Sequence, residues 1–258
     1  MLLSRAAAPP RRHVRFSAMP RAFPSPAELQ GALFDIDGTL TDSDHIHFAV
    51  FKDFLAEHNA LGGVLLTPKY FRAHISGGAN ETLFATLFPG ASAAECAALA
   101  EDKEARFREL AKNELRPLPG LLSFTQALAA RGVKCIAVTN APRANAELML
   151  RALGLDDFFG PDFALLVIGS ECAFSKPHPA PYIEGLRRLG VAAEHAVAFE
   201  DSPGGLASAV AANLATYGLT TSQVPETLLR IGAGACVRDY TDAALWAAAG
   251  VSPPTRFE

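Results

Sequence analysis

Short apolar runs recur along the chain. Residues 32–35 (Ala-Leu-Phe-Asp) end in a carboxylate, and residues 134–139 are rich in β-formers and end in a hydroxyl. Residues 164–168 and 196–199 repeat the form, and residues 215–219 and 236–237 are weaker examples. Between these runs, apolar positions follow helical spacing over residues 121–130, 143–153, 179–189, 204–212 and 225–231. Continuous apolar strands alternating with helices predict a parallel sheet covered on both faces. The fold class expected is therefore α/β, a doubly wound, Rossmann-like sheet. In such sheets, ligands bind outside the C-terminal ends of the strands.

One interval breaks the rhythm. Residues 41–119 hold no convincing strand, only helical patterning at 47–57, 69–75, 81–88 and 94–114. Gly62-Gly63, Gly77-Gly78 and Pro89-Gly90 separate the segments, as such dipeptides mark turns. The division expected is a core of residues 28–42 and 118–258, a helical cap of residues 43–117, and a leader of residues 1–27.

Charge sets the leader apart. It carries Arg5, Arg11, Arg12, Arg15 and Arg21, five prolines and no acidic residue before Glu28. An Arg- and Ser-containing, acid-free N-terminus has the composition of an organellar transit peptide, so chloroplast import is the expectation, with a cytoplasmic location as the alternative. The leader is expected to contribute nothing to the fold. The remainder holds 18 basic against 27 acidic residues, and the full chain of 258 residues has a net charge of −4. This balance argues against an electrostatic grip on nucleic acid or a membrane surface. Nor does any apolar stretch reach the length of a transmembrane helix. Four well-separated cysteines (Cys96, Cys135, Cys172, Cys236) form no CxxC pair, which points to reduced thiols.

The candidate chemistry sits at strand ends. Asp35 and Asp37, spaced i, i+2, leave the same face of an extended backbone, and Gly38 permits the turn out of the strand. Two close carboxylates repel unless a cation or proton lies between them. A calcium loop would need further oxygen ligands and a terminal Glu at short range, and these are missing.

With its Asp35-Ile-Asp-Gly-Thr39 sequence, the chain resembles the haloacid dehalogenase-like hydrolase superfamily. Val138-Thr-Asn140, Ser175-Lys-Pro177 and Glu200-Asp-Ser-Pro-Gly-Gly205 match its three later motifs in order. The resemblance implies that Asp35 is a nucleophile toward phosphorus and Asp37 a general acid and base. It implies that Asp35, the Asp37 backbone carbonyl and Asp201, with Glu200 acting directly or through water, hold one Mg²⁺. Thr139 and Lys176 would bind the non-transferred phosphoryl oxygens. Family members that displace halide generally lack the second aspartate, so Asp37 points to phosphoryl transfer.

In this superfamily a helical cap after the first motif closes over small soluble substrates. Substrate contacts are accordingly expected from Asn140 and from the cap residues His47, Asn80 and Glu81, with His45 and His74 as further candidates. The stretches 138–142, 168–172 and 175–181 look like those of the plant and algal sugar-phosphate phosphatases of the subgroup that contains β-phosphoglucomutase. The mutases usually carry a cap arginine that this chain lacks near Glu81, although Arg72 lies close by. The resemblance thus implies a monomeric Mg²⁺-dependent phosphomonoesterase acting on a small phosphorylated metabolite. A phosphosugar mutase and a phosphoglycolate phosphatase are the alternatives.

Overall fold

The structure is a computed structural model that describes residues 21–257. Six parallel strands run in the order β3-β2-β1-β4-β5-β6: β1 Gly31–Phe34, β2 Lys134–Thr139, β3 Leu166–Ile168, β4 Ala196–Glu200, β5 Ala215–Leu219 and β6 Ala235–Val237. β1 pairs with β2 on one side and β4 on the other, in registers Phe34↔Ala137 and Phe34↔Phe199. The chain winds outward from β1 to β3 and returns to continue from β4, so the strand order reverses beside β1. That reversal opens the crevice in which doubly wound sheets bind ligands.

The apolar runs have no polar face because both sides of the sheet are covered. Alternate residues of β1 diverge: Ala32 and Phe34 enter one apolar cluster and Leu33 the other. The first face is covered by α5 (Leu121–Ala130), α6 (Arg143–Ala152) and α10 (Ala243–Ala249), through Phe124, Met149, Leu150 and Trp246. The second is covered by α7 (Ala180–Leu189), α8 (Pro203–Ala211) and α9 (Pro225–Ile231), the last lying beside α8 against β5 and β6. α10 falls outside the helices expected from the sequence. Its Asp242 accepts hydrogen bonds from the backbone N–H groups of Ala244 and Leu245, an N-cap that holds this short helix in register.

Between β1 and β2 lie α1 (Asp44–Glu57), α2 (Pro68–His74), α3 (Asn80–Leu87) and α4 (Ala93–Glu114). They share an apolar cluster of their own, including Phe51, Phe54, Phe71, Ile75, Leu83 and Phe84. α4 starts at a capping box in which Ser92 accepts from the Glu95 N–H while the Glu95 side chain accepts from the Ser92 N–H. The insert is not sealed off from the main domain, since Ile46 and Val50 of α1 and Phe107 and Ala111 of α4 belong to the main cluster.

The expected leader requires one correction. Residues 1–20 of it lie outside the described residues, but its last part is packed. Phe23 stacks on Tyr217 at a centroid distance of 4.1 Å, Arg21 donates to the Asn213 carbonyl, and Pro26 lies against Gly250. The composition rule treats the stretch as uniform, whereas one aromatic ring suffices to anchor its end to exposed apolar surface. Among the described residues, all four cysteines are free and no helix is long and apolar enough to cross a membrane.

Candidate active site

The ends of β1, β2 and β4 converge on one cleft. Asp35 and Asp37 follow β1, Thr139 ends β2, Glu200 ends β4 and Asp201 comes next, while Lys176 arrives on the loop before α7. The cleft has an empty volume of about 710 Å³, counting the part open to solvent, and is walled on the far side by α1, α3, α4 and the Gly77-Gly78 loop.

Lys176 is the hub. Its Nζ donates to Asp35 Oδ1 at 2.7 Å, to Glu200 Oε1 at 2.6 Å and to the Val138 carbonyl at 2.7 Å. These three partners use all the donors of an ammonium group. Glu200, fully buried, also accepts from Tyr182 Oη at 2.7 Å and from Ser202 Oγ at 3.3 Å. The sequence assigned Glu200 a metal role. Its position makes it first the anchor of Lys176, because both its oxygens already have protein donors. Asn140 is likewise committed to that lysine: its Oδ1 accepts from the Lys176 N–H and its Nδ2 donates to the Lys176 carbonyl. The expected substrate contact is thus a side chain that pins the Lys176 backbone from the cleft wall. Thr139 Oγ1 accepts from the Ala141 N–H at 3.0 Å, which leaves its hydroxyl hydrogen available to an oxygen in the cleft.

Too many carboxylates meet here for one cation. Burial pushes the Asp35 carboxyl up to about 8 against the pull of Lys176, and the charges of Glu200 and Asp37 push the same way. Burial, with Asp35 and Glu200 beside it, also raises Asp201 well above the usual carboxylate range. Asp35, Glu200 and Asp201 each offer an oxygen within 4.8 Å of the others. A cluster of hard oxygen donors whose charges raise one another's pKa fits a divalent cation such as Mg²⁺. Gly38 shapes it: its φ is +74°, and a Cβ there would run into the Asp201 carboxylate, so only glycine allows the turn after β1 to pass so close. Asp201 does not cap α8. Ser202 does, accepting from the Gly205 N–H at 3.1 Å, while the Asp201 carboxylate lines the cleft and accepts from Thr39 Oγ1 at 3.5 Å.

Asp37 stands in a different environment. Burial raises its carboxyl, but the hydrogen bond and charge of His47, the Ser43 hydroxyl and the Lys103 charge outweigh burial and hold it below the usual range. His47 Nε2 lies 3.2 Å from Asp37 Oδ1, and Lys103 Nζ lies 3.0 Å from His47 Nδ1. Nε2 thus faces Asp37 and Nδ1 faces the Lys103 ammonium. Two carboxylates in one site are thereby driven apart, Asp35 upward and Asp37 downward.

The cap candidates divide. His47 and Asn80 line the cleft. Glu81 does not, because it is exposed on α3 and outside the cleft lining. His45 is exposed beside Glu114, and His74 is exposed against Tyr70. Gly77 reaches the core: with φ +72°, a Cβ on it would press on the Ser202 side chain. The sequence reading missed Asp44, Lys103, Glu104 and Asn145, all of which line the cleft. A signal for two of them exists. Cys96, Ala100, Phe107 and Ala111 form the buried stripe of α4, and helical spacing places positions 103 and 104 on that same stripe.

A family model of haloacid dehalogenase-like hydrolases matches residues 29–213. Protein CbbY of Rhodobacter capsulatus is 31% identical over 191 residues, covering 72% of this chain and 83% of its own. A phosphoglycolate phosphatase of Rhodospirillum rubrum is 31% identical over 236 residues, covering 84% and 90%. In fold, the chain is similar to a crystallised HAD hydrolase, family IA, variant 3, of Entamoeba histolytica, with a TM-score of 0.76, 22% identity, and coverage of 86% and 98%.

Proposed function

The chain belongs to the haloacid dehalogenase-like hydrolase family, and on that premise we propose that it is a Mg²⁺-dependent phosphomonoesterase. It hydrolyses small sugar phosphates through an aspartyl-phosphate intermediate. The observation that carries this reading is the pairing of two aspartates of opposite electrostatic character, Asp35 beside Lys176 and Asp37 beside His47.

Asp35 Oδ attacks phosphorus, and the bond to the leaving oxygen breaks while the acyl phosphate forms. Asp37, in contact with His47 Nε2 at 3.2 Å, would carry the proton that the departing oxygen takes. In the second half-reaction the Asp37 carboxylate, already favoured in its ionised form, takes a proton from the attacking water. Thr139 offers its hydroxyl hydrogen to a non-transferred oxygen, where negative charge persists through the transition state, and the Lys176 charge lies beside Asp35. Asp35, Asp201 and the Asp37 backbone carbonyl would hold Mg²⁺, with Glu200 as support. When bound, the ion supplies the positive charge that lets an anionic nucleophile meet a phosphate dianion.

The names of several relatives favour phosphoglycolate as a second reading of the substrate. The lining of the cleft supports a sugar, since its far wall carries Asp44, His47, Asn80 and the Lys103–Glu104 ion pair among apolar side chains and no arginine. That lack also counts against a mutase, which must hold a second phosphate in the cap. Phosphate release from a panel of two- to six-carbon phosphorylated metabolites, with Mg²⁺ and with EDTA, tests the proposal. Turnover of sugar monophosphates that EDTA abolishes and Asp35→Asn eliminates is the expected result. Undiminished turnover in metal-free protein would refute the assigned metal role.

A further inference from the structure

On the cap side of the cleft lies a carboxylate that the chemistry at phosphorus does not use. Glu104 of α4 is only 3% exposed and shares the cleft wall with Asn80, Phe51, Phe71 and Leu83. Its Oε1 accepts from Asn80 Nδ2 at 2.9 Å and from Lys103 Nζ at 3.0 Å, and its Oε2 accepts from Asn145 Nδ2 at 2.6 Å. A carboxylate has about four acceptor sites. Three are filled, and the remaining one belongs to Oε2.

The charges around it matter as much. Burial raises the Glu104 carboxyl, but the charges of Lys103 and His47 and the donors on its oxygens outweigh burial and keep it ionised at neutral pH. Two of the three donors of Lys103 Nζ go to Glu104 Oε1 and His47 Nδ1, and Nζ sits 4.4 Å from the Phe51 ring centre. Lys176, the other lysine of the cleft, is held by Asp35 and Glu200 at the opposite end. Arg108 is turned away, bound to Glu101 and to Asn145 Oδ1.

Building on the phosphatase reading above, we infer that Glu104 selects the leaving group. The acceptor site left on its Oε2 takes a hydrogen bond from a substrate hydroxyl, which a leaving group ending in a carboxylate or a second phosphate cannot offer. An ionised carboxylate can only accept, so a hydroxyl satisfies it whereas a second anion leaves it unsatisfied. The substrates favoured are therefore monophosphates of uncharged polyols, and phosphoglycolate and sugar bisphosphates are disfavoured.

The test compares kcat/KM for a hexose monophosphate, phosphoglycolate and a hexose bisphosphate, with Mg²⁺, in the wild type and in Glu104→Gln. Glutamine keeps the shape and removes the charge. The wild type should favour the hexose monophosphate, and Glu104→Gln should shift the ratio toward phosphoglycolate by about tenfold or more. A fall common to all substrates does not move that ratio, so damage to cap closure is separated from loss of selection. If Glu104→Gln does not fold, the wild-type ranking decides. An active wild type that prefers phosphoglycolate, or a ratio unmoved in folded Glu104→Gln, overturns this inference and leaves the phosphatase reading standing. A wild type inert toward all three, and toward an aryl phosphate, overturns the phosphatase reading and this inference with it.

Discussion

Replacing Lys176 by methionine separates its electrostatic role from its bulk. Methionine fills the space of the aliphatic stem but removes the cation that Asp35, Glu200 and the Val138 carbonyl share. Removing one partner of a buried ion pair costs about 3–5 kcal/mol, because the other charge is left uncompensated. At about 2–4 °C per kcal/mol for a domain of this size, the melting temperature of the metal-free protein should fall by roughly 6–20 °C once the pH is above about 8. The loss should depend on pH in a definite direction. The Asp35 carboxyl is already raised from 3.8 to about 8, and Lys176 is the largest pull against that rise. Without the lysine, the carboxyl rises further. An acid whose folded pKa exceeds its unfolded value weakens the fold as pH climbs from the unfolded value to the folded one, and costs nothing below both. Below about pH 8 Asp35 is protonated in both folded proteins and adds nothing to the difference between them, so the deficit of Lys176→Met should grow as pH rises above about 8, where the wild-type carboxyl ionises and the variant's does not. Thermal melts of both proteins in EDTA from about pH 6 to about pH 10 measure it. A variant as stable as the wild type at the alkaline end, or a deficit that does not change with pH, would refute the reasoning.

Other substitutions probe other links. Phe23→Ala removes the ring stacked on Tyr217 and should cost about 1–3 kcal/mol in denaturant unfolding; no loss would mean that the segment ahead of β1 contributes nothing to the fold. Gly38→Ala places a methyl against the Asp201 carboxylate at a positive φ, so it should abolish Mg²⁺-dependent activity and lower stability by at least ~1 kcal/mol. Wild-type activity in that variant would contradict the packing described. A fluorescent protein fused behind residues 1–20 should enter chloroplasts, and a uniformly cytosolic signal would reject the transit proposal.

The strands and the four strand-end motifs were legible because both are local. A short apolar run bounded by polar residues reads directly as a buried strand, and the two aspartates after β1 announce themselves by spacing. α10 was harder, although Asp242 and Gly250 mark its ends, because an alanine-rich run has little apolar contrast between faces. Lys103 and Glu104 escaped for a physical reason. Residue type alone assigns a Lys-Glu pair in a charged helix to solvent, whereas the stripe of Cys96, Ala100, Phe107 and Ala111 places both on the buried face. The acidic residue expected in the cleft from the cap was Glu81, and the carboxylate found there is Glu104, contributed by a different helix. Contacts of that kind depend on how α4 lies against α3 and α6, which no local pattern encodes. The last residues of the leader illustrate the same limit, because the value of Phe23 lies in Tyr217, a partner nearly two hundred positions away.

The nucleophilic role of Asp35 can be observed directly in the Asp37→Asn protein. An aryl phosphate has a leaving group that needs little help from an acid, so the first step should proceed while the second, deprived of its base, stalls. Acid quenching after mixing with aryl phosphate and Mg²⁺, followed by peptide mass spectrometry, should find one phosphoryl group on the peptide that contains Asp35. Product release without any phosphorylated protein, or a phosphoryl group on another residue, would contradict the mechanism.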